Sequence, residues 1–281
     1  MKKTLVAFVA GLLTSTALAQ ERDVKFTLDF IPLGRHAPWY VALAKGYYKA
    51  EGLNVSIIPA KGTADSIRSL DSGVVDIGFI DVPSLVATGA DTTTIRMVAV
   101  NYQLPPYSVF SLSPGANITK PADMVVNIEP GSLAATLVAG KIQAIGLFAM
   151  SEGALRRASK NAELKHMLLA DHGLDIYANG IGVKEEFLKA NPDVVRRFVR
   201  AALRGWKDAL ANPEEAAKLQ SQYIKTLDAP VIVEELGVVK RLAVVPDTQK
   251  NGLGYIDAAK LKRTVDFLNA NLEVPGRKFT A

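Results

Sequence analysis

The sequence contains no cysteine and only three histidines among its 281 residues. Without cysteine the chain forms no disulfide and no thiolate site, so its core must rest on packing alone. The histidines, at positions 36, 166 and 172, do not have the spacing of a zinc site. The sequence therefore predicts no metal and no other cofactor.

Runs of like charge and most catalytic motifs are also missing. The net charge of +5 is not clustered, so nucleic-acid binding is not predicted. There is no H-E-x-x-H, no Walker A loop and no G-x-G-x-x-G after a strand. Residues 149–153 resemble a G-x-S-x-G nucleophile elbow but begin with Ala149, so we interpret Ser151 as a helix cap.

The first residues have the pattern of a secretory signal. Lys2 and Lys3 precede an apolar run at 5–13, and an A-x-A site follows at 17–19. This run is shorter than a membrane span, and no later segment approaches 18 unbroken apolar residues. We predict a cleaved signal peptide at residues 1–19 and a mature chain that starts at Gln20 and works in the periplasm.

The first hundred residues alternate between strand and helix patterns. Strands are predicted over residues 24–31, 53–57, 74–80 and 94–100, and helices begin near Pro38, Thr63 and Pro83. Such alternation favours an α/β fold with a parallel sheet. The last hundred residues are predicted to be helical, with start signals at 191–193, 212–214 and Asp257.

A weak internal repeat relates residues 62–79 to residues 131–148. Leu70 and Gly73 of the first copy match Leu137 and Gly140 of the second. Two readings remain open here: two related α/β lobes joined by a crossing at 101–106, or chance convergence of two βα units.

Loops at the carboxyl ends of parallel strands are where ligands bind. The helix starts after Pro38 and Gly62 offer free N–H groups to an anion or a carbonyl oxygen. Four aromatic residues in these loops either sandwich a flat ring or plug the core: Phe30, Trp39, Tyr102 and Phe148.

Two long runs resemble the NMT1/THI5-like substrate-binding proteins. They are HAPWYVALAKGYYKAEGLNVSIIPAKGTADSIRSLDSGVVDIGFIDVPSL at 36–85 and DIYANGIGVKEEFLKANPDVVRRFVRAALRGWKDALANPEEA at 175–216. The resemblance implies a type II periplasmic binding protein, in which two α/β lobes joined by a hinge close on a ligand. It places lobe 1 at 20–104 plus 179–281 and lobe 2 at 105–178. It also implies an inner-membrane ABC permease as partner, a small-molecule ligand, a monomer and no catalytic residues.

The resemblance also implies a set of ligand-binding positions around the cleft. By position they are Phe30, Pro32, His36, Trp39, Gly62, Thr63, Ala64, Asp81, Ser84, Asn101, Tyr102, Phe148, Tyr177 and Asn179.

The chain departs from this family in two places. Lys120–Met124 runs straight into VVNIEPGS, where relatives carry roughly one further βα unit of some 35 to 40 residues. We therefore expect a shortened second lobe, with exposed apolar edges around residues 125–128. The chain also stops at Ala281, where relatives continue through a short aromatic tail.

Several functions remain open at this stage. The aromatic loops favour a small heterocycle such as a pyrimidine vitamin precursor, whereas the helix N-termini suit taurine, an alkanesulfonate or nitrate. Some eukaryotic relatives are enzymes that make the thiamine pyrimidine with a loop histidine and a Cys-rich iron site. Here that loop carries Ser84 and the chain has no cysteine, so we expect no enzyme activity. A degenerate, non-transporting binding protein is the remaining reading.

Overall fold

Two separate β-sheets organise the chain. The structure, a computed structural model, describes residues 21–88, 94–113, 133–160 and 163–272. The predicted signal peptide and the apolar residues 125–128 lie outside these ranges. The strands are β1 Arg22–Thr27, β2 Leu53–Ile58, β3 Ile77–Asp81, β4 Ile95–Val100, β5 Tyr107–Ser113, β6 Ala144–Phe148, β7 Glu163–Leu168 and β8 Asn179–Lys184.

The first sheet has five strands in the order β2-β1-β3-β8-β4. Strands β1, β2 and β3 are parallel, which confirms the predicted sheet for these strands. Strand β4 runs in the same direction as these three, and β8, which lies outside the predicted strands, runs antiparallel between β3 and β4. The reason is topological, because β8 enters the sheet on the return from the second sheet.

The second sheet has three antiparallel strands in the order β6-β5-β7. The repeat noted in the sequence is also present in the structure: each copy has a helix, a glycine with positive φ (Gly73 at 73°, Gly140 at 67°) and a strand. Strands β6-β5-β7 thus correspond to β3-β8-β4. Within the described residues, the second sheet has no counterpart of β1 and β2.

Helices cover the first sheet and form most of the last hundred residues. They are α1 Ala37–Ala44, α2 Tyr47–Ala50, α3 Thr63–Asp71, α4 Val82–Ala87, α5 Leu133–Val138, α6 Glu152–Ala158, α7 Glu185–Ala190, α8 Pro192–Ala211, α9 Pro213–Tyr223, α10 Ala229–Ala243, α11 Pro246–Asn251 and α12 Ala258–Asn271. None of the helices in the described ranges is long and apolar enough to cross a bilayer.

Helix α10 contacts the first crossing, which joins the two sheets, and also contacts α6 beside the second sheet. The Leu242 carbonyl accepts hydrogen bonds from the backbone N–H groups of Gln103 and Leu104 in the first crossing. On the side of the second sheet, Arg157 of α6 forms an ion pair with Glu234 of α10. The first crossing also pairs with the start of β8, since the Asn179 carbonyl accepts hydrogen bonds from the backbone N–H groups of residues 101 and 102.

Helix α8 supplies the largest buried face of the first sheet's core. One face of the helix is buried, with Phe198 and Trp206 both inaccessible to solvent. Gly205 lets α8 lie close to α1, because a Cβ there would fall 2.5 Å from the Pro38 carbonyl oxygen and 2.6 Å from the Ala42 Cβ. The close approach is therefore set by a single residue without a side chain.

We predict opposite effects for two glycine-to-alanine substitutions in helices. Gly205→Ala should lower the free energy of unfolding by about 1–3 kcal/mol, because backbone atoms of α1 leave no room for the methyl group. Gly237→Ala in α10 should raise it by about 0.5–1 kcal/mol, because nothing lies within 4 Å of the new Cβ and alanine favours the helix. Urea unfolding of both variants measures the difference, and equal shifts would contradict the packing described for α8.

Candidate functional site

Four polar side chains lie in a row at one end of the first sheet. Asp29 follows β1, Asp81 ends β3, Asn179 begins β8 and Asn101 follows β4. The register pairs Asp81 with Asn179, and the N–H of Asn101 donates to the Asn179 carbonyl. All four are at least 98% buried. The carboxyl ends of the parallel strands thus form a polar edge of the kind at which ligands bind.

Asp29 is the most heavily bonded member of this row. Its carboxylate accepts hydrogen bonds from Arg35 Nη1 at 2.7 Å and from Asn179 Nδ2 at 2.8 Å. His36 Nε2 lies 2.7 Å from the other oxygen. Burial alone would raise the pKa of Asp29, but the Arg35 guanidinium and the hydrogen bonds outweigh burial and lower it to about 2. Asp29 is therefore ionised, and its charge is neutralised by Arg35.

His36 serves this cluster as a neutral ring. Its Nδ1 accepts a hydrogen bond from the Leu33 N–H at 2.9 Å, so Nε2 carries the proton and donates to Asp29. Burial, followed by the nearby Arg35 charge, lowers the pKa of His36 to about 4. With both nitrogens engaged and no exposed surface, the ring holds the loop after β1 in place.

Arg35 connects the cluster to the second sheet and to α10. Its guanidinium lies over the Phe148 ring, 5.4 Å from the ring centre. Its backbone N–H donates to Glu235 Oε2 at 2.8 Å. Phe148 also contacts Tyr107, its partner in the β5–β6 register, with ring centres 5.7 Å apart. The two sheets therefore meet at an aromatic pair beside a buried cation.

Asp81 differs from Asp29 because it has no cation beside it. Its Oδ2 accepts from Ser84 N at 2.9 Å and Ser84 Oγ at 2.6 Å, which caps α4. Its Oδ1 accepts from the Tyr107 hydroxyl at 2.5 Å. Burial raises the pKa of Asp81, the hydrogen bonds oppose this rise and the Asp29 charge adds to it. Among the described residues, Asp81 is thus a buried carboxylate without a counter-charge.

Two amide side chains in the row retain unused hydrogen-bonding capacity. Neither the Nδ2 nor the Oδ1 atom of Asn101 has a protein partner among the described residues, and the Oδ1 atom of Asn179 has none either. A buried amide without partners costs free energy unless water or a ligand completes it. These atoms are therefore natural contact points for a polar solute.

The remaining predicted positions divide into accessible and buried groups. Phe30 is 37% exposed, while Pro32, Gly62, Thr63, Ala64 and Ser84 are partly exposed. Gly62 begins α3 with φ at 149° and has open space where a side chain would stand. These residues form the accessible part of the loops around the polar row.

Trp39, Tyr102 and Tyr177 are inaccessible to solvent. Trp39 packs against Phe26, Phe79 and Trp206, and Tyr102 packs against the latter two. Tyr177 instead accepts a hydrogen bond from the Asp257 N–H at 2.8 Å. Of the four aromatic loop residues, Trp39 and Tyr102 are therefore part of the core. Phe30 and Phe148 remain partly accessible to solvent.

The sequence analysis did not identify four residues of the site formed by the polar row and its neighbours: Asp29, Arg35, Tyr107 and Glu235. Asp29 had a usable signal, because it stands just after the first strand as Asp81 stands at the end of the third. Glu235 had none, since 200 positions separate it from the N–H group that it binds.

Comparison with known proteins identifies the relatives of this chain. The family described as NMT1/THI5 like matches residues 34–125 and 124–216. The riboflavin-binding protein RibY of Chloroflexus aurantiacus is 31% identical over 292 aligned positions, covering 89% of this chain and 81% of that protein. The formylaminopyrimidine-binding protein of Halalkalibacterium halodurans is 24% identical over 311 positions, covering 96% and 93%.

Enzymes also occur among the relatives. The 4-amino-5-hydroxymethyl-2-methylpyrimidine phosphate synthase THI13 of Saccharomyces cerevisiae is 27% identical over 69% of each chain. Among solved structures, the alkanesulfonate-binding protein SsuA of Xanthomonas axonopodis pv. citri superposes with a TM-score of 0.66 over 90% of this chain and 91% of its own, at 12% identity. That likeness shows the fold alone, which is the α/β fold found in periplasmic binding proteins.

The alignments bear on the expectation of a shortened second lobe. Those with the riboflavin- and formylaminopyrimidine-binding proteins run over more positions than the 281 residues of this chain, so both relatives contain residues that it lacks. The two family matches meet at 124–125. This is where the sequence analysis places the missing unit, a position outside the described residues.

We predict that His36 makes folding stability fall as the pH drops from about 6.5 to about 4. The unfolded histidine takes up a proton in this window and the buried one does not, which costs about 3 kcal/mol over the whole window. Asp81 and Glu235, whose pKa values are raised, act in the opposite direction, so the comparison must be between variants. His36→Gln should flatten the pH dependence of urea unfolding, whereas His172→Gln, at an exposed site, should leave it unchanged. An unaltered slope in His36→Gln would contradict the neutral buried ring.

Proposed function

The chain belongs to the NMT1/THI5-like family, and from this premise we propose that it captures a small aromatic heterocycle bearing N–H groups and delivers it to an ABC permease. In this proposal it acts in the periplasm as a monomeric binding protein without catalytic activity. We call the first sheet with its helices the first lobe, and the second sheet with α5 and α6 the second lobe. The ligand lies between the lobes, at the polar row.

The observation that carries this proposal is the uncompensated carboxylate of Asp81. A buried carboxylate with hydrogen-bond donors and no counter-charge favours a ligand that brings further donors or a positive charge. Ring N–H and amino groups supply such donors. The neighbouring Phe148 and Tyr107 rings offer an apolar face for a flat ligand.

The charge of the site argues against an anionic ligand. Arg35 is paired with Asp29 and His36 is neutral, so neither supplies a spare positive charge. Asp81 and Glu235 are acidic side chains that a sulfonate or nitrate would approach without compensation. The α3 N-terminus beside Gly62 is a feature that suits an oxyanion.

The names of two relatives agree with a heterocyclic ligand. One is named for riboflavin and the other for formylaminopyrimidine. Both are binding proteins, and each alignment covers more of this chain than the alignment with the yeast synthase. The loop after β3 favours a binding protein over a synthase, because Ser84 there donates to Asp81, the cap of α4, and the chain has no cysteine.

Delivery follows from closure of the two lobes. Closure removes water from the polar row, and the closed form is the conformation that a permease would recognise. The signal-like residues 1–19 support export to the compartment where such a permease presents its outer face.

Isothermal calorimetry with an aminopyrimidine and flavin panel and a sulfonate, taurine and nitrate panel tests the proposal. We expect heat from at least one heterocycle and none from the oxyanions. Asp81→Asn should weaken heterocycle binding by about tenfold or more, because a hydrogen bond to a charged group is lost. Asp228→Asn, at an exposed aspartate outside the site, is the matched control and should bind like the wild type. Heat from oxyanions alone would overturn the proposal.

A further inference from the structure

The Tyr107 hydroxyl forms a hydrogen bond that spans the two lobes. Tyr107 is the first residue of β5 in the second lobe, and Asp81 is the last residue of β3 in the first lobe. The bond from the hydroxyl to Asp81 Oδ1 measures 2.5 Å. The first crossing, residues 101–106, leads directly into Tyr107, so the bond lies where the chain enters the second sheet.

The two oxygens of Asp81 are held in different ways. Oδ2 accepts both of its hydrogen bonds from Ser84, three residues along the chain, and these bonds belong to the cap of α4. They persist whatever the relative position of the lobes. Among the described residues, Oδ1 accepts a hydrogen bond from Tyr107 alone. A solute that donates to Oδ1 from the side of the second lobe therefore competes with the Tyr107 hydroxyl for this oxygen.

Exchange at Oδ1 selects for hydrogen-bond donors. Asp81 is 2% exposed, so a carboxylate oxygen left bare there is costly. A ligand N–H offsets that cost by donating a new hydrogen bond to Oδ1. A ligand that presents only acceptors or apolar edges leaves the oxygen without a donor. Tyr107 is itself partly exposed, and its ring rests on Phe148, so its hydroxyl can turn to water when it is displaced.

We propose that Tyr107 is a specificity-determining residue: its hydroxyl occupies Asp81 Oδ1 in the unliganded protein and gives way only to a ligand N–H. This inference rests on the proposed function, since it concerns the same site. Tyr107 thus competes with the ligand, and the competition excludes solutes that lack a donor. The sheet–sheet contact at Phe148 remains while the exchange takes place.

Calorimetry on Tyr107→Phe gives the direct test, with the aminopyrimidine that binds the wild type most tightly as the probe. Removing the competing hydroxyl should lower the Kd about tenfold. Tyr223→Phe, at an exposed tyrosine whose ring contacts Tyr40 outside the site, should leave the Kd unchanged. An unchanged or higher Kd in Tyr107→Phe would overturn the inference while leaving the proposed function standing. A wild type that binds no heterocycle would overturn both.

Tyrosine ionisation followed by ultraviolet absorbance provides a second readout. In the free protein, burial and the Asp81 charge raise the pKa of Tyr107 well above its usual value. Saturation with the aminopyrimidine should return one tyrosine towards its usual pKa in the wild type, and this change should be missing in Tyr107→Phe. A purely structural tyrosine would titrate alike with and without ligand, and that result would contradict displacement.

Discussion

The buried ion pair between Asp29 and Arg35, 2.7 Å long, is the interaction on which the site depends. An ion pair in a protein interior is tolerated only when its remaining hydrogen bonds are also satisfied. Here His36 and Asn179 complete Asp29, and Arg35 reaches Phe148 and Glu235. The pair thus joins the loop after β1, the start of β8, the second sheet and α10. Because Arg35 is paired with Asp29, no cation among the described residues compensates the second carboxylate of the row, Asp81, and the site is acidic.

The two lobes contribute unequally to this site. The first lobe supplies the carboxylates and amides of the polar row, and the second lobe supplies Tyr107 and Phe148. A comparison of the two sheets explains this asymmetry. Strands β6-β5-β7 correspond to β3-β8-β4, and the described residues of the second sheet contain no equivalent of β1. In the first lobe, the loop after β1 carries Asp29, Arg35 and His36. The described part of the second lobe has no such loop, and it contributes the aromatic rings of Tyr107 and Phe148 to the site.

Local sequence signals were sufficient for most elements and for part of the site. Strand patterns located β2 and β4, and Asn212 and Asp257 cap α9 and α12 as their positions suggested. Contacts distant in sequence were not predictable. The place of β8 between β3 and β4 depends on a return crossing, and the bond from Arg35 to Glu235 joins residues 200 positions apart. Aromatic residues were ambiguous for a physical reason: the same ring stabilises a core or a bound solute, and only burial distinguishes Trp39 from Phe148.

The central claim is that Asp81 receives a donor from a flat solute held between the lobes. A crystal structure of the protein grown with a saturating aminopyrimidine tests this claim most directly. The account predicts the ring against Phe148, with an N–H within hydrogen-bonding distance of Asp81 Oδ1 and the Tyr107 hydroxyl turned away. A pyrimidine bound elsewhere, with the bond between Tyr107 and Asp81 intact, would contradict it.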